Sequence, residues 1–382
     1  MIYLDNAATS WPKPPETIEA MHAYLETVGG NPGRSGHRAS VDAARALYEV
    51  REAVCTFFNS KDPMRVFFTH NGTHALNYVL MGMLKEGDQV LTTAIEHNAV
   101  MRPLRELEKR GVVIRTACCR EDGTVDLDDF ARKIASGITL SVVNHASNVL
   151  GTISPIGSIA ELCRKHGVLL LVDSAQTAGS LPIDMQDMGI DLLACTGHKG
   201  LLGPPGTGCL VIGSHVDSTA IKPIIRGGTG SRSKEEYQPE DLPDKFESGT
   251  PNSVGLAGLL AGISWVTSRG VDIVRSHEVK LIARLIEGLQ SIQDITVHGT
   301  RNPKESVAVV SFTCRGKTVS EIGLMLDERH GILCRVGLHC APSAHKTAGT
   351  FPEGTVRLSP GCFTTLDEID RTVDAVREAS RS

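Results

Sequence analysis

A chain of 382 residues with 41% hydrophobic and 22% charged side chains can build a large core plus a second, smaller unit, and its composition excludes a disordered chain. Its 39 basic and 44 acidic side chains leave a formal net charge of −5, and with no basic block or basic-aromatic strip nucleic acid is not expected as a partner. No apolar run approaches the roughly 20 residues that cross a bilayer, and residues 1–5 carry neither a basic nor an apolar leader, so no membrane is expected and the cytoplasm is the expected compartment.

Residues 1–40 read as irregular apart from a helix over Pro15–Thr27, and 29–38 read as a glycine-rich loop. A helix follows over 41–59. Beyond it, β-rich runs at 66–69, 89–93, 112–116, 139–144, 168–172, 190–194 and 208–212 alternate with helical patterns at 73–84, 99–110, 127–134 and 156–166. Near-continuous apolar strands separated by helices predict an α/β fold with a mostly parallel, seven-stranded sheet covered on both faces. Ligands in such sheets bind beyond the carboxyl ends of the strands. Residues 226–247 are polar, rich in Gly, Ser and charge, and too long for a bland connection. Helices at 253–268 and 272–290 then lead to a smaller α+β unit, with strands at 307–312, 332–335 and 355–358 and helices at 320–329 and 366–379.

The strand ends carry the chemistry. After the first strand comes Asn71-Gly72-Thr73-His74 at a helix start, where Thr73 is either an N-cap or part of an anion site. After the next comes Glu96-His97-Asn98; His97 reads equally as a structural histidine or as an imidazole set against a bound ring. Asn148 follows the 139–144 strand, and a buried amide there needs a partner. Leu169-Leu170-Leu171-Val172-Asp173 ends a wholly buried strand on a carboxylate, which requires a cationic or protonated partner. Cys195-Thr196-Gly197-His198-Lys199-Gly200 then sets a lysine where a buried strand enters a glycine-rich loop. Burial disfavours the ammonium form and leaves a nucleophilic amine, as Schiff-base chemistry requires, although a surface lysine in a turn would read the same alone.

Asp173 and Lys199, with anion-binding groups at Thr73, Thr196 and His198, match the needs of pyridoxal phosphate: a lysine for the Schiff base, a carboxylate for the pyridine nitrogen and donors for a phosphate dianion. Competing motifs fail. No Gly-x-Gly-x-x-Gly follows the early strands, and Gly316-Lys317-Thr318 has Ser311 where a P-loop needs glycine. The ten cysteines form no Cys-x-x-Cys pair, so neither a disulfide framework nor a zinc site is expected, and most read as small core residues. His70 and His74 lack the glutamate of a zinc-protease helix, and no metal is expected.

Several runs together resemble the class V aminotransferase family of fold-type I pyridoxal phosphate enzymes, and within it the SUF-type cysteine desulfurases, which include selenocysteine lyase-like proteins. They are Tyr3-Leu4-Asp5-Asn6-Ala7-Ala8-Thr9, Glu96-His97, Ser147-Asn148-Val149-Leu150-Gly151, Asp173 to Gln176, Gly197-His198-Lys199, Phe246-Glu247-Ser248-Gly249-Thr250-Pro251-Asn252 and Arg335-Val336-Gly337-Leu338-His339-Cys340-Ala341. The resemblance implies that Lys199 forms the Schiff base, Asp173 pairs with the pyridine nitrogen, Gln176 bonds the ring hydroxyl and His97 stacks on the ring. Thr73, Thr196 and His198 would hold the phosphate, and Thr250 would reach the phosphate of the other subunit in a homodimer. Arg357 would bind the substrate α-carboxylate, assisted by Asn148 and Arg335. Cys340 would attack the substrate sulfur, giving a persulfide for a sulfur-acceptor protein and free alanine from L-cysteine. As positive neighbours, Arg335 and His339 would favour its thiolate. Alternatives on the same scaffold are a selenocysteine lyase, another C–S lyase or an aminotransferase. The implied organisation is an N-terminal arm (1–15) packing with the small domain, a large cofactor-binding domain (16–265) and a small domain (266–382) carrying Cys340. Leu338 stands where the family usually has a histidine, and 342–352 departs from the family's pattern.

Overall fold

The expected alternation forms in the computed structural model, which describes residues 1–33, 36–135, 137–232 and 234–381. Arg34 and Ser35 of the expected 29–38 loop, and Ser233 of the 226–247 segment, lie outside the described residues. The elements run β1 (Ile2–Tyr3), α1 (Pro15–Thr27), α2 (Arg38–Phe57), β2 (Val66–Thr69), α3 (Gly72–Met83), β3 (Gln89–Thr93), α4 (Asn98–Glu108), β4 (Val113–Ala117), α5 (Leu127–Ile134), β5 (Leu140–Asn144), α6 (Ile156–Lys165), β6 (Leu169–Asp173), β7 (Leu192–Thr196) and β8 (Gly208–Ile212). They continue with α7 (Ser253–Arg269), α8 (Val271–Gln290), β9 (Ile295–His298), β10 (Val310–Cys314), α9 (Val319–His330), β11 (Ile332–Leu333), β12 (Arg335–Gly337), α10 (Pro342–Thr347), β13 (Thr355–Leu358) and α11 (Leu366–Arg381).

The large sheet has the order β2-β8-β7-β6-β5-β3-β4, with β8 antiparallel to both neighbours and the other pairings parallel. Every residue of β5, β7 and β8 is buried, as strands covered on both faces must be, whereas edge strand β4 alternates toward solvent. Alternation along β7 sends Leu193 and Cys195 into one core, with Phe58 and Phe130, and Leu192 and Ala194 into the other, with Leu76 and Leu104. Each fully buried leucine stabilises the sheet by about 2 kcal/mol.

A four-stranded antiparallel sheet, β12-β13-β10-β9, carries a separate core that includes Leu281, Phe312 and Leu358. Ile2 and Leu4 join this core, because β1 pairs with β11 in parallel and Asp5 bridges to Ser359. The N-terminus is therefore not wholly irregular before its first helix; a two-residue strand is too short to show alternation. The expected 332–335 strand divides into β11 and β12, and α10 occupies the unfamiliar 342–352 stretch with Pro342 in its first turn. The expected 190–194 strand lies two residues later, because its ladder with β8 extends to Thr196 opposite Gly208. No single described helix is long and apolar enough to cross a membrane.

Candidate active site

In-register pairing sets Asn144 beside Asp173 and Asp173 beside Ala194, so β5, β6 and β7 finish at one edge of the sheet. That edge, the first turn of α3 and the β12 and β13 strands of the smaller sheet border an open cavity of about 940 Å³. Lys199, Asp173, Gln176, His97, Thr73, Thr196, His198, Asn148, Arg335 and Arg357 all line it. Thr250 does not; it is exposed and borders a separate cavity with Arg51, Phe68 and Glu247. The adjoining 226–247 segment is tied down by Gln238, whose Nε2 donates to Ser248 Oγ at 3.0 Å, and by the buried Arg51–Glu247 ion pair.

Burial lowers the Lys199 amine to about 8, with Arg357 and Arg335 acting in the same direction and Asp173 and Asp5 opposing. Burial raises the Asp173 carboxyl, against a 2.9 Å bond from the Ala175 N–H and the nearby Lys199. Glu96, with no exposure, is raised to about 8 by burial despite accepting bonds from Thr93 Oγ1 (2.6 Å) and the Asn144 N–H (3.1 Å). Burial and then Lys199 hold His97 down to about 4; its Nδ1 accepts the Ala99 N–H at 3.0 Å, so the neutral ring carries its proton on Nε2. His198 is likewise held at about 4, while its carbonyl accepts bonds from Lys13 Nζ (2.8 Å) and the Ser10 N–H (3.0 Å).

Buried polar groups normally find partners. Around this cavity Thr196 Oγ1, Asn144 Oδ1, Asn148 Oδ1, His339 Nδ1 and Arg357 Nε are buried without one. Arg357, 1% exposed, donates from Nη2 to Asp5 Oδ1 (2.6 Å) and from Nη1 to the Asn148 carbonyl (3.1 Å). Gln176 Nε2 donates to the Ala7 carbonyl at 3.1 Å. The N-cap of α3 is Asn71, whose side chain accepts the His74 N–H at 2.9 Å, so Thr73 does not act as the cap and sits inside the first turn.

Cys340 is exposed at the rim, and Arg335 Nη2 donates to its sulfur at 3.5 Å. His339 and Cys340 both take left-handed backbone, φ 47° and 60°, a conformation that costs energy for residues other than glycine. Their carbonyls hold them there: Asn148 Nδ2 donates to the His339 carbonyl (2.7 Å) and the Asn98 N–H to that of Cys340 (2.8 Å). Ala341 and Ala344 of the following turn pack against Ile95, Val149 and Leu150, and Thr347 Oγ1 donates to the Ala94 carbonyl at 3.0 Å. His339 does not supply the positive charge expected of it. Its Nε2 meets the carbonyl and hydroxyl of Thr355 at 3.1 Å, and burial lowers it to about 2, so it stays neutral. Sequence reading gave no role to Asp5, Glu96 or Asn144, although Asp5 stands in the Tyr3–Thr9 run and Glu96 directly precedes His97. Among the described residues no cluster of three His, Cys, Asp or Glu side chains could hold a metal.

The family model described as aminotransferase class-V matches residues 2–372. A probable cysteine desulfurase from Pyrococcus abyssi is 35% identical over 388 residues, covering 100% of this chain and 95% of that protein. One from Methanothermobacter thermautotrophicus is 34% identical, over 99% of this chain and 94% of that one. Among solved structures, the apo cysteine desulfurase of Thermococcus onnurineus NA1 superposes with a TM-score of 0.94 at 34% identity, covering 100% of this chain and 94% of that one. The cysteine desulfurase CsdA of Escherichia coli, in an S-sulfonic acid form, gives 0.88 at 26% identity, covering 99% of this chain and 94% of that one.

Proposed function

Because this chain belongs to the class-V aminotransferase family and has the fold-type I architecture, we propose that it is a pyridoxal phosphate-dependent cysteine desulfurase that moves the sulfur of L-cysteine onto Cys340 and releases L-alanine. The observation that carries this reading is the exposed Cys340 sulfur, bonded by Arg335 at 3.5 Å, on the rim of the cavity that holds the Lys199 amine.

The residues present fit that cofactor. The unpartnered Thr196 hydroxyl, beside the first turn of α3 and Thr73, suits a phosphate, with the neutral His198 ring as a further donor. Asp173, raised by burial, favours a cationic partner such as a protonated ring nitrogen. Gln176, which also lines the cavity, would bond the ring hydroxyl, and the neutral His97 ring would offer a flat face. When bound, pyridoxal phosphate supplies the electron sink that loosens the substrate Cα proton and lets the Cβ–S bond break.

The chain's own groups do the rest. Arg357 binds the α-carboxylate with the guanidinium donors left free by Asp5, assisted by Asn148, whose Nδ2 holds the His339 carbonyl, and Arg335 orients the Cys340 sulfur. Lys199, its amine lowered to about 8, holds and returns the Cα proton near neutral pH. Cys340 Sγ forms a bond to the substrate sulfur as the Cβ–S bond breaks. The electron pair of that bond stays on Cβ, which takes a proton, so one thiol and one cysteine become one persulfide and one alanine. A sulfur-acceptor protein then collects the terminal sulfur.

We further assign Thr250 to the cofactor phosphate of a second copy, which makes the working unit a homodimer; its exposure outside this chain's own cavity supports that assignment. The same reading divides the chain into an arm (1–15), a cofactor-binding unit (16–265) and a smaller unit (266–382). Cys340→Ala tests the function. The variant should keep the yellow cofactor and lose alanine and sulfide release from L-cysteine; undiminished sulfur release would sink the reading.

A further inference from the structure

Arg357 is a complete guanidinium buried to 1% exposure, where an unpaired charge would be strongly unfavourable. Two of its three nitrogens are already held, Nη2 by Asp5 Oδ1 at 2.6 Å and Nη1 by the Asn148 carbonyl at 3.1 Å. Two fixed points set the plane of a rigid fork and leave Nε as its buried donor without a partner.

Asp5 could act on that fork in two ways, as a clamp or as a carboxylate that competes with the substrate for it. The backbone favours the clamp, because that of Asp5 is laced to the strand extension just beyond Arg357. The Ser359 N–H donates to the Leu4 carbonyl at 2.7 Å, the Asn6 N–H to the Ser359 carbonyl at 3.1 Å and the Ala7 N–H to Ser359 Oγ at 3.0 Å. Carboxylate and guanidinium therefore ride on two adjoining backbone segments and move together.

We propose that Asp5 is a positioning residue: it fixes the plane of the Arg357 guanidinium in the cavity wall, so that the donors Asp5 and Asn148 leave free meet an amino-acid α-carboxylate in line. This inference rests on the desulfurase reading only in taking Arg357 as the carboxylate site.

The test uses the cofactor-loaded enzyme with three variants, Asp5→Ala, Asp5→Asn and Asp5→Glu, and two ligands that differ in the α-carboxylate, L-alanine and ethylamine. Binding is followed by the absorbance change of the bound cofactor. Asp5→Ala should weaken L-alanine at least tenfold and leave ethylamine unchanged. Asp5→Asn, whose amide oxygen still accepts from Nη2, should recover L-alanine binding to within about threefold of wild type. Asp5→Glu keeps a carboxylate beside the buried guanidinium yet displaces the fork by one methylene, and should again weaken L-alanine alone. Unchanged or tighter L-alanine binding in Asp5→Glu, or equal losses for both ligands, would overturn the clamp. Failure of the wild-type enzyme to release sulfur from L-cysteine would instead count against the desulfurase reading, since the binding comparison needs no turnover.

Discussion

Thr196→Val exchanges a hydroxyl for a methyl of nearly the same shape, and it should move two properties in opposite directions. Thr196 is 4% exposed and its Oγ1 has no partner. A buried polar atom left unpaired costs about 1–3 kcal/mol, so valine should stabilise the cofactor-free protein by about that amount. With pyridoxal phosphate bound, the hydroxyl would donate to a dianion, and a hydrogen bond to a charged group is worth about 1.5–3 kcal/mol. Its loss should weaken cofactor binding by about 10- to 150-fold. Thermal unfolding of the cofactor-free protein measures the first effect, and titration with pyridoxal phosphate followed by absorbance measures the second. A variant that binds the cofactor as tightly as wild type, or whose cofactor-free form melts lower, would refute the assignment of Thr196 to the phosphate.

The buried Glu96 carboxyl is raised from 4.5 to about 8, so the folded chain holds a proton there that the unfolded chain releases between those values. Its contribution to stability is greatest at low pH and declines as pH rises from about 4.5 to about 8. Urea unfolding at pH 5, 6.5 and 8 should show that decline in wild type and a flatter profile in Glu96→Gln; parallel profiles would contradict it. Gly179 has φ +89°, and a methyl there would collide with the carbonyl of Gly200, the residue after Lys199. Gly179→Ala should cost roughly 2–4 kcal/mol and loosen cofactor retention, whereas an unchanged melting temperature would mean that this backbone contact yields freely.

Much of this architecture was legible in the sequence for a local reason. Apolar runs such as Leu169–Asp173 are buried on both faces, so hydrophobicity alone marked the strands, and polar residues at their ends marked the cavity. Lys199, Asp173 and Thr196 were found that way. Cys340 was not separable from the nine other cysteines by its surroundings in sequence; the Arg335 to Ala341 run singled it out, and its left-handed backbone left no sign in residue type. Asp5 escaped because its partner lies 352 residues away and a single carboxylate in an N-terminal run has no local signature. Asn71 and Thr73 are both good caps, and only the geometry of the first turn of α3 chose between them. Expecting His339 to be charged failed because burial, which spacing does not report, lowers it, and the neighbouring Arg357 and Arg335 act in the same direction.

The lacing of residues 4–7 to Ser359 bears on when the protein becomes competent as it leaves the ribosome. At about 5–20 residues per second, roughly 20–70 s separate the synthesis of Asp5 from that of Arg357. Through that interval the strand that ends on Asp173 and the one that leads into Lys199 can pair, while residues 2–7 wait unpaired for a strand not yet made. A nascent chain can thus acquire the lysine pocket well before the Asp5–Arg357 pair can form, and the last part of the cavity to close is the one that joins residues 352 positions apart.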